Sequence, residues 1–259
     1  MGAVATSKGR IGVLEAGGGD AVPILFLHGV GSDKYVWRPQ LDHFGRARRA
    51  VALDYPGYGE SDFMAGATRD DFAAAMLAAM DVLGIQRAHI CGLSLGGVIA
   101  IAMQALAPAR CASLTLADSF ATHPDGAGIR QRSTDASRSI GMRALAEARV
   151  DSLLGSEATA SLRSEVVETM AGVDPEAYRI GAEAVWLADQ RDRARAIDRP
   201  TLVLCGDEDR ITPPALSEEL AALVPGAELM IIERAGHLAN AEQPGEFNAA
   251  IDRFLAQVD

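Results

Sequence analysis

Gly92-Leu93-Ser94-Leu95-Gly96-Gly97 sets a serine between glycines at the spacing G-x-S-x-G, behind an apolar run ending at Cys91 and ahead of a helix-like stretch over residues 98–106. A chain that reverses from strand to helix this tightly leaves no room for side chains at positions 92 and 96, and it lifts the Ser94 hydroxyl clear as a nucleophile. The helix behind it directs the positive end of its dipole at any anion formed there. A glycine-rich turn that binds nothing has the same local pattern, so the serine needs partners elsewhere in the chain. His28-Gly29-Val30-Gly31 closes an early apolar run, a place from which backbone N–H groups can meet a developing oxyanion. Val30 N–H and Leu95 N–H are the expected pair, and His28 reads as a residue that shapes the loop.

Downstream, Gly206-Asp207-Glu208-Asp209 follows another apolar run, and Ala235-Gly236-His237 follows the last one. Ser94, Asp209, His237 is the chain order of nucleophile, acid and base, in which a neutral imidazole takes the hydroxyl proton and a buried carboxylate fixes its tautomer. Asp207 shares the segment with Asp209, and Asp118 also ends a strand, so both stay open as the acid. His43, His89 and His123 read as surface or strand residues.

The elements that would carry these residues alternate. Strand-like runs lie near residues 11–15, 23–28, 49–55, 89–93, 112–118, 201–206 and 228–233, with cores such as Ile24-Leu25-Phe26-Leu27 and Leu202-Val203-Leu204 that are apolar throughout. Continuous apolar runs suit strands covered on both faces, and helix patterns over 70–83, 213–223 and 246–258 supply the cover. The expected fold class is therefore α/β, a mostly parallel sheet flanked by helices. Between residues 119 and 199 the alternation gives way to helical, Arg-rich sequence, which divides the chain into a core of 1–118 and 200–259 and a helical lid of 119–199 inserted between two core strands.

The 259 residues carry 24 Lys+Arg against 35 Asp+Glu, a net charge of −11. That balance argues against nucleic acid, whose binding draws on clustered basic residues. No apolar run approaches the roughly 20 residues that span a bilayer, so no membrane partner is expected. The first residues lack the basic region and apolar run of a secretory signal, which points to the cytosol; Met1-Gly2-Ala3-Val4-Ala5-Thr6 fits the short myristoylation pattern, but no polybasic patch follows it. Cys91, Cys111 and Cys205 sit in apolar, strand-like contexts and read as buried free thiols. No His/Cys/Asp cluster has ligand spacing and no phosphate-binding glycine pattern is present, so neither metal nor other cofactor is expected. Nothing in the sequence fixes an oligomeric state.

With these residues in place the chain resembles the α/β-hydrolase superfamily over essentially its whole length, and within it is similar to the β-ketoadipate (3-oxoadipate) enol-lactone hydrolases. The closer likeness lies in His28-Gly29-Val30-Gly31-Ser32-Asp33 with Trp37-Arg38-Pro39-Gln40, in Tyr178-Arg179-Ile180-Gly181-Ala182-Glu183-Ala184 before Asp189, and in Pro200-Thr201-Leu202-Val203 with Gly206, Asp209 and Thr212-Pro213-Pro214. The family's pattern sets the acid three residues after that glycine, as Asp209 is here, and the base in Gly236-His237 upstream of Glu242-Gln243-Pro244. The lid departs from it: Gly128, Ile129 and Arg130 precede Arg132 where the lactonases carry a Trp, and Leu153-Leu154 stands where they show a Trp-Phe-like pair.

The resemblance implies hydrolysis of a small-molecule carboxylic ester or lactone through an acyl-enzyme. Serine rather than aspartate at the elbow separates the chain from the haloalkane dehalogenases and epoxide hydrolases of this layout. Hydrolysis of C–C bonds in diketones and cofactor-free haloperoxidase or perhydrolase chemistry use the same three residues, and some proteins of this fold are non-catalytic binding proteins. For the substrate wall the lid offers Phe120, Met142, Leu145, Leu153, Val166, Met170 and Trp186. Arg132 is the candidate anchor for a substrate carboxylate, beside Arg130 and Arg138.

Overall fold

Five strands whose every residue is buried form the middle of the molecule: Ile24–Leu27, Ala50–Leu53, Ala88–Leu93, Cys111–Ala117 and Thr201–Gly206. The structure is a computed structural model and describes residues 2–259; Met1, which opens the myristoylation-like pattern and the 1–118 segment, lies outside the described residues. In chain order the first half runs β1 (Ala3–Thr6), β2 (Gly9–Ala16), β3 (Ile24–Leu27), α1 (Arg38–Phe44), β4 (Ala50–Leu53), α2 (Arg69–Val82), β5 (Ala88–Leu93), α3 (Leu95–Leu106) and β6 (Cys111–Ala117). Five helices follow: α4 (Gly126–Ser139), α5 (Gly141–Leu153), α6 (Ala160–Ala171), α7 (Pro175–Trp186) and α8 (Arg191–Arg195). The chain closes with β7 (Thr201–Gly206), α9 (Pro214–Leu223), β8 (Glu228–Ile232), α10 (Ala239–Glu242) and α11 (Pro244–Val258).

The eight strands lie in the order β1-β2-β4-β3-β5-β6-β7-β8. β2 pairs antiparallel with β1 and β4, and every pairing from β4 to β8 is parallel. Alternate residues of one strand feed two separate cores. Leu25 and Leu27 pack with Phe72 and Met76 of α2 and Val98 of α3, whereas Ile24 and Phe26 pack with Leu41 and Phe44 of α1 and Phe247 and Ile251 of α11. The α/β class expected from the apolar runs is the one observed, with helices on both faces.

β1 escapes the sequence pattern. Ala3-Val4-Ala5-Thr6 is an edge strand with no apolar run and one-sided pairing, joined to β2 by a tight turn at Gly9, whose φ is 96°. All three cysteines are free and buried; burial pushes the Cys111 thiol up to about 12, and those of Cys91 and Cys205 also upward. Among the described residues no helix is long and apolar enough to cross a membrane.

One topological detail positions everything that follows. After β3 the chain turns to one side to form β4, and it reaches the other side of β3 with β5. The loops leaving β3 and β5 therefore diverge at the carboxyl edge and leave a crevice between them, the general ligand position in open parallel sheets. His28-Gly29-Val30-Gly31 and Ser94 are the residues at its two sides.

Candidate active site

Ser94 fills the single position between β5 and α3, with φ 55° and ψ −113°, a conformation that non-glycine residues rarely adopt. Holding it costs about 1–3 kcal/mol, which the surroundings must over-determine. They do so with hydrogen bonds: Ser94 N–H donates to Ala117 O at 2.8 Å, and Ser94 O accepts from Ser119 Oγ at 2.9 Å and from Gly97 N–H at 3.0 Å. The flanking glycines are sterically required. A Cβ at Gly92 would run into the Gly96 carbonyl, and one at Gly96 into the Leu27 carbonyl of β3.

Across the crevice, a Cβ built on Gly29 would lie 3.6 Å from that of Ser94, so the loop after β3 packs directly on the serine. His28 anchors the loop from behind: it is fully buried, its Nδ1 lies 2.8 Å from Gly29 O, and its ring sits against Tyr55 and Tyr58. Burial lowers its pKa, which favours the neutral ring. Further along, the buried Lys34 ammonium meets Asp54 at 2.7 Å and Glu60 at 2.8 Å, while Asp54 also accepts the Lys34 N–H at 2.8 Å. The loop's shape is thus fixed by an internal ion cluster. Among the described residues neither Val30 N–H nor Leu95 N–H has a hydrogen-bond partner; Leu95 follows Ser94 in the chain, and Val30 lines the same cavity as Ser94.

The loop after β7 brings Asp209 to His237, which the loop after β8 supplies. His237 Nδ1 lies 2.8 Å from Asp209 Oδ2, with both residues buried. Thr212 Oγ1 donates to the same carboxylate oxygen at 2.7 Å, and the N–H groups of Ile211 and Thr212 hold Oδ1 at 2.7 and 2.9 Å. Burial resists ionisation of Asp209, but the His237 imidazole and the hydrogen bonds from His237 and Thr212 outweigh it and set the carboxyl below its ordinary value. Asp118 shows the opposite balance. It is fully buried, with Oδ1 accepting Gly206 N–H at 2.8 Å, and burial followed by the nearby Asp209 charge pushes its carboxyl well up. Asp207 turns aside and accepts Ala235 N–H at 3.3 Å. Of the three acids left open by the sequence, Asp209 alone contacts the imidazole.

Asp118, Cys205 and Asp209 also have side-chain atoms within 4.8 Å of one another. The donor chemistry is wrong for a cation: burial favours the protonated forms of Asp118 and Cys205, and both Asp209 oxygens are already engaged.

Ser94 and His237 open into one cavity of about 340 Å³. The sheet side contributes Gly29, Val30 and Leu93, and the inserted helices contribute Arg149, Leu153, Leu162, Val166, Thr169 and Trp186. Four residues expected at this wall, Phe120, Met142, Leu145 and Met170, are elsewhere. Phe120 is fully buried, stacked on Trp186 at 5.7 Å, and Met142 lies in the same apolar core. Each points an apolar side chain where packing, rather than the cavity, takes it. Arg132 is also displaced: it borders a second cavity of about 440 Å³ and is paired with Asp125 at 2.6 Å, both partners exposed. Leu145 lines that second cavity, and Met170 packs on Gly31.

Sequence reasoning overlooked Thr212 and Arg149. Thr212 sits in the Thr-Pro-Pro segment with no signal of its own. Arg149 had one: Leu145, Arg149 and Leu153 are spaced i, i+4, i+8 along α5, which sets the arginine on the helix's inward stripe.

The geometry has parallels. A family model described as the alpha/beta hydrolase fold matches residues 22–244. The chain is 27% identical over 258 residues to 3-oxoadipate enol-lactonase 1 of Acinetobacter baylyi, an alignment covering 98% of this chain and 97% of that protein. It is 30% identical over 253 residues to a 2-hydroxymuconate semialdehyde hydrolase of Pseudomonas putida, covering 93% of this chain and 89% of that one. Among solved structures, the enol-lactonase from Burkholderia xenovorans LB400 matches with a TM-score of 0.90 at 28% identity, over 98% of this chain and 99% of that chain.

Proposed function

The chain belongs to the α/β-hydrolase fold family, and on that premise we propose that it is a serine hydrolase cleaving a carboxylic ester or lactone of a small molecule through an acyl-enzyme. The observation that carries this reading is the 2.8 Å contact between His237 Nδ1 and Asp209 Oδ2, in a cavity that Ser94 enters from a strained turn. His237 Nδ1–H donates to Asp209, which leaves Nε2 as the acceptor for the Ser94 proton. Oγ attacks the carbonyl, and Val30 N–H and Leu95 N–H receive the oxyanion; being unpaired beforehand, they need break no bond to do so. The leaving alcohol takes its proton from His237, and a water activated by the same imidazole releases the acid. Residues 119–199 act as the lid that shapes the substrate, and the enzyme works in the cytosol.

In the test, a 4-nitrophenyl ester gives a burst of nitrophenolate matching the enzyme concentration, and Ser94→Ala removes the burst and lowers turnover by about 10⁴- to 10⁶-fold. A Ser94→Ala protein that keeps most of the activity overturns the proposal. The 30% identity with the semialdehyde hydrolase favours one second reading, cleavage of a C–C bond in a vinylogous diketone by the same residues. Comparing kcat/KM for an enol-lactone, a simple ester and such a diketone decides between the two.

A further inference from the structure

Val30 N–H is one of the two donors proposed for the oxyanion, yet among the described residues neither Val30 nor Gly31 exchanges a hydrogen bond with another backbone group. The ends of their loop are tied down from the sheet side. His28 is buried against Tyr55 and Tyr58, and Lys34 N–H donates to Asp54 at 2.8 Å. Between those ties the chain is held by packing, and two of the inserted helices supply it. On α6 the Met170 side chain lies over the Gly31 backbone, where a Cβ would be 3.3 Å from both its Cγ and its Sδ. On α7 a Cβ at Gly181 would lie 3.0 Å from Val30 Cγ2 and overlap the Tyr58 hydroxyl, so the absence of a side chain lets that helix close on the loop.

The cross-ties of α6 run to α5, from Arg143 to Glu168 at 2.7 Å and from Arg163 to Asp151 at 2.6 Å. Leu162, Glu165, Val166 and Thr169 recur at helical spacing, and that stripe of α6 borders the cavity. Met170, one residue on, turns away from the cavity and is buried against Gly31. The helix thus meets the substrate space along one stripe and the oxyanion loop with its last turn. An unbranched thioether fills the gap over a glycine backbone without forcing it, which a shorter side chain cannot do.

We infer that Met170 is a positioning residue: bearing on Gly31, with Gly181 of α7 as the second stop, it holds Val30 N–H where the oxyanion forms. This rests on the hydrolase reading above and gives one residue behind the helical wall an effect on rate rather than on cavity volume. A misplacement of about 1 Å in a reacting group costs about 10²-fold, and truncating Met170 frees the loop to shift on that scale.

The experiment mixes the full chain with 4-nitrophenyl acetate or 4-nitrophenyl hexanoate in a stopped-flow instrument. The dependence of the burst on ester concentration separates the acylation rate constant from the dissociation constant of the ester. Met170→Ala should lower acylation of both esters alike by about 10- to 100-fold, with little change in either dissociation constant. Met170→Leu, which conserves the volume, should restore most of the rate. A second readout is a hexyl trifluoromethyl ketone: Ser94 Oγ adds to its carbonyl, the hydroxyl proton passes to His237, and the adduct's oxyanion lies against Val30 N–H. Its affinity should fall in Met170→Ala by the factor lost in acylation, whereas hexyl methyl ketone should bind as before. Thermal unfolding of each variant sets the temperature at which rates are compared, and Met170→Val, a smaller truncation, carries the same test if Met170→Ala does not fold. Acylation unchanged by the truncation, a loss that Met170→Leu does not repair, or a loss confined to the dissociation constant and different for the two esters overturns the inference. A burst that needs Ser94 but not Met170 removes the inference alone. Hydrolysis that survives Ser94→Ala removes the hydrolase reading, and the inference falls with it.

Discussion

The two sides of the cavity that Ser94 and His237 enter are held in place by different means. On the sheet side, position is imposed by backbone: a φ of 55° at Ser94, glycines that admit no Cβ, and N–H groups left free by the turn. On the helical side, Leu153, Leu162, Val166 and Trp186 reach the cavity because helices happen to pack at that angle. The sheet side confines individual atoms through the backbone, so its residues are few and their types are restricted. The helical side needs only volume and polarity, so many sequences satisfy it.

If that division holds, substitutions on the two sides should fail in different ways. Asp209→Asn should lower kcat by about 10³- to 10⁴-fold, because the amide can no longer hold the imidazole in the accepting tautomer, while thermal unfolding shifts far less than the activity does. A loss of cooperative folding in that variant would mean that the carboxylate is a structural member of the sheet edge. Phe120→Ala should do the reverse. Removing a fully buried ring stacked on Trp186 should cost about 3–5 kcal/mol in denaturant unfolding, with a smaller change in KM. A large KM change without loss of stability would return Phe120 to the substrate wall. The smallest effect is expected at Arg132, which is exposed and paired with Asp125. Arg132→Ala should raise KM for an acid ester by less than about 3-fold, as for other surface pairs; a rise of about 10-fold or more would return Arg132 to the substrate site.

The same division explains what could be read from the amino acids alone. Gly92, Ser94, Gly96, Asp209 and His237 announce themselves because each is required by a local turn or by the proposed proton transfer, and local requirements leave marks at fixed spacing. Buried strands announce themselves as apolar runs, whereas β1, with one neighbour and half-exposed residues, does not. Side-chain direction in the inserted segment depends on how it packs on the sheet, so Phe120, in the loop after β6, and Met142, on α5, look like wall residues and are core, while Arg149 borders the cavity. Thr212 is of the same kind: its hydroxyl matters only once the loop after β7 has folded against His237.

The junction between α5 and the loop after β8 carries a different implication, for recombination among relatives. His237 N–H donates to Leu153 O at 2.8 Å, and Glu242 accepts the N–H groups of Gly155 and Gly236 at 2.6 and 2.9 Å. Glu208 adds a second tie to Ser156, through its N–H and its hydroxyl, both at 2.7 Å. A chimera that exchanges the helical segment wholesale while keeping its own residues at 208 and 242 would sever a graft line running through the imidazole loop. Interchangeable cassettes in this scaffold therefore have to include those two glutamates, far along the chain from the segment they fasten.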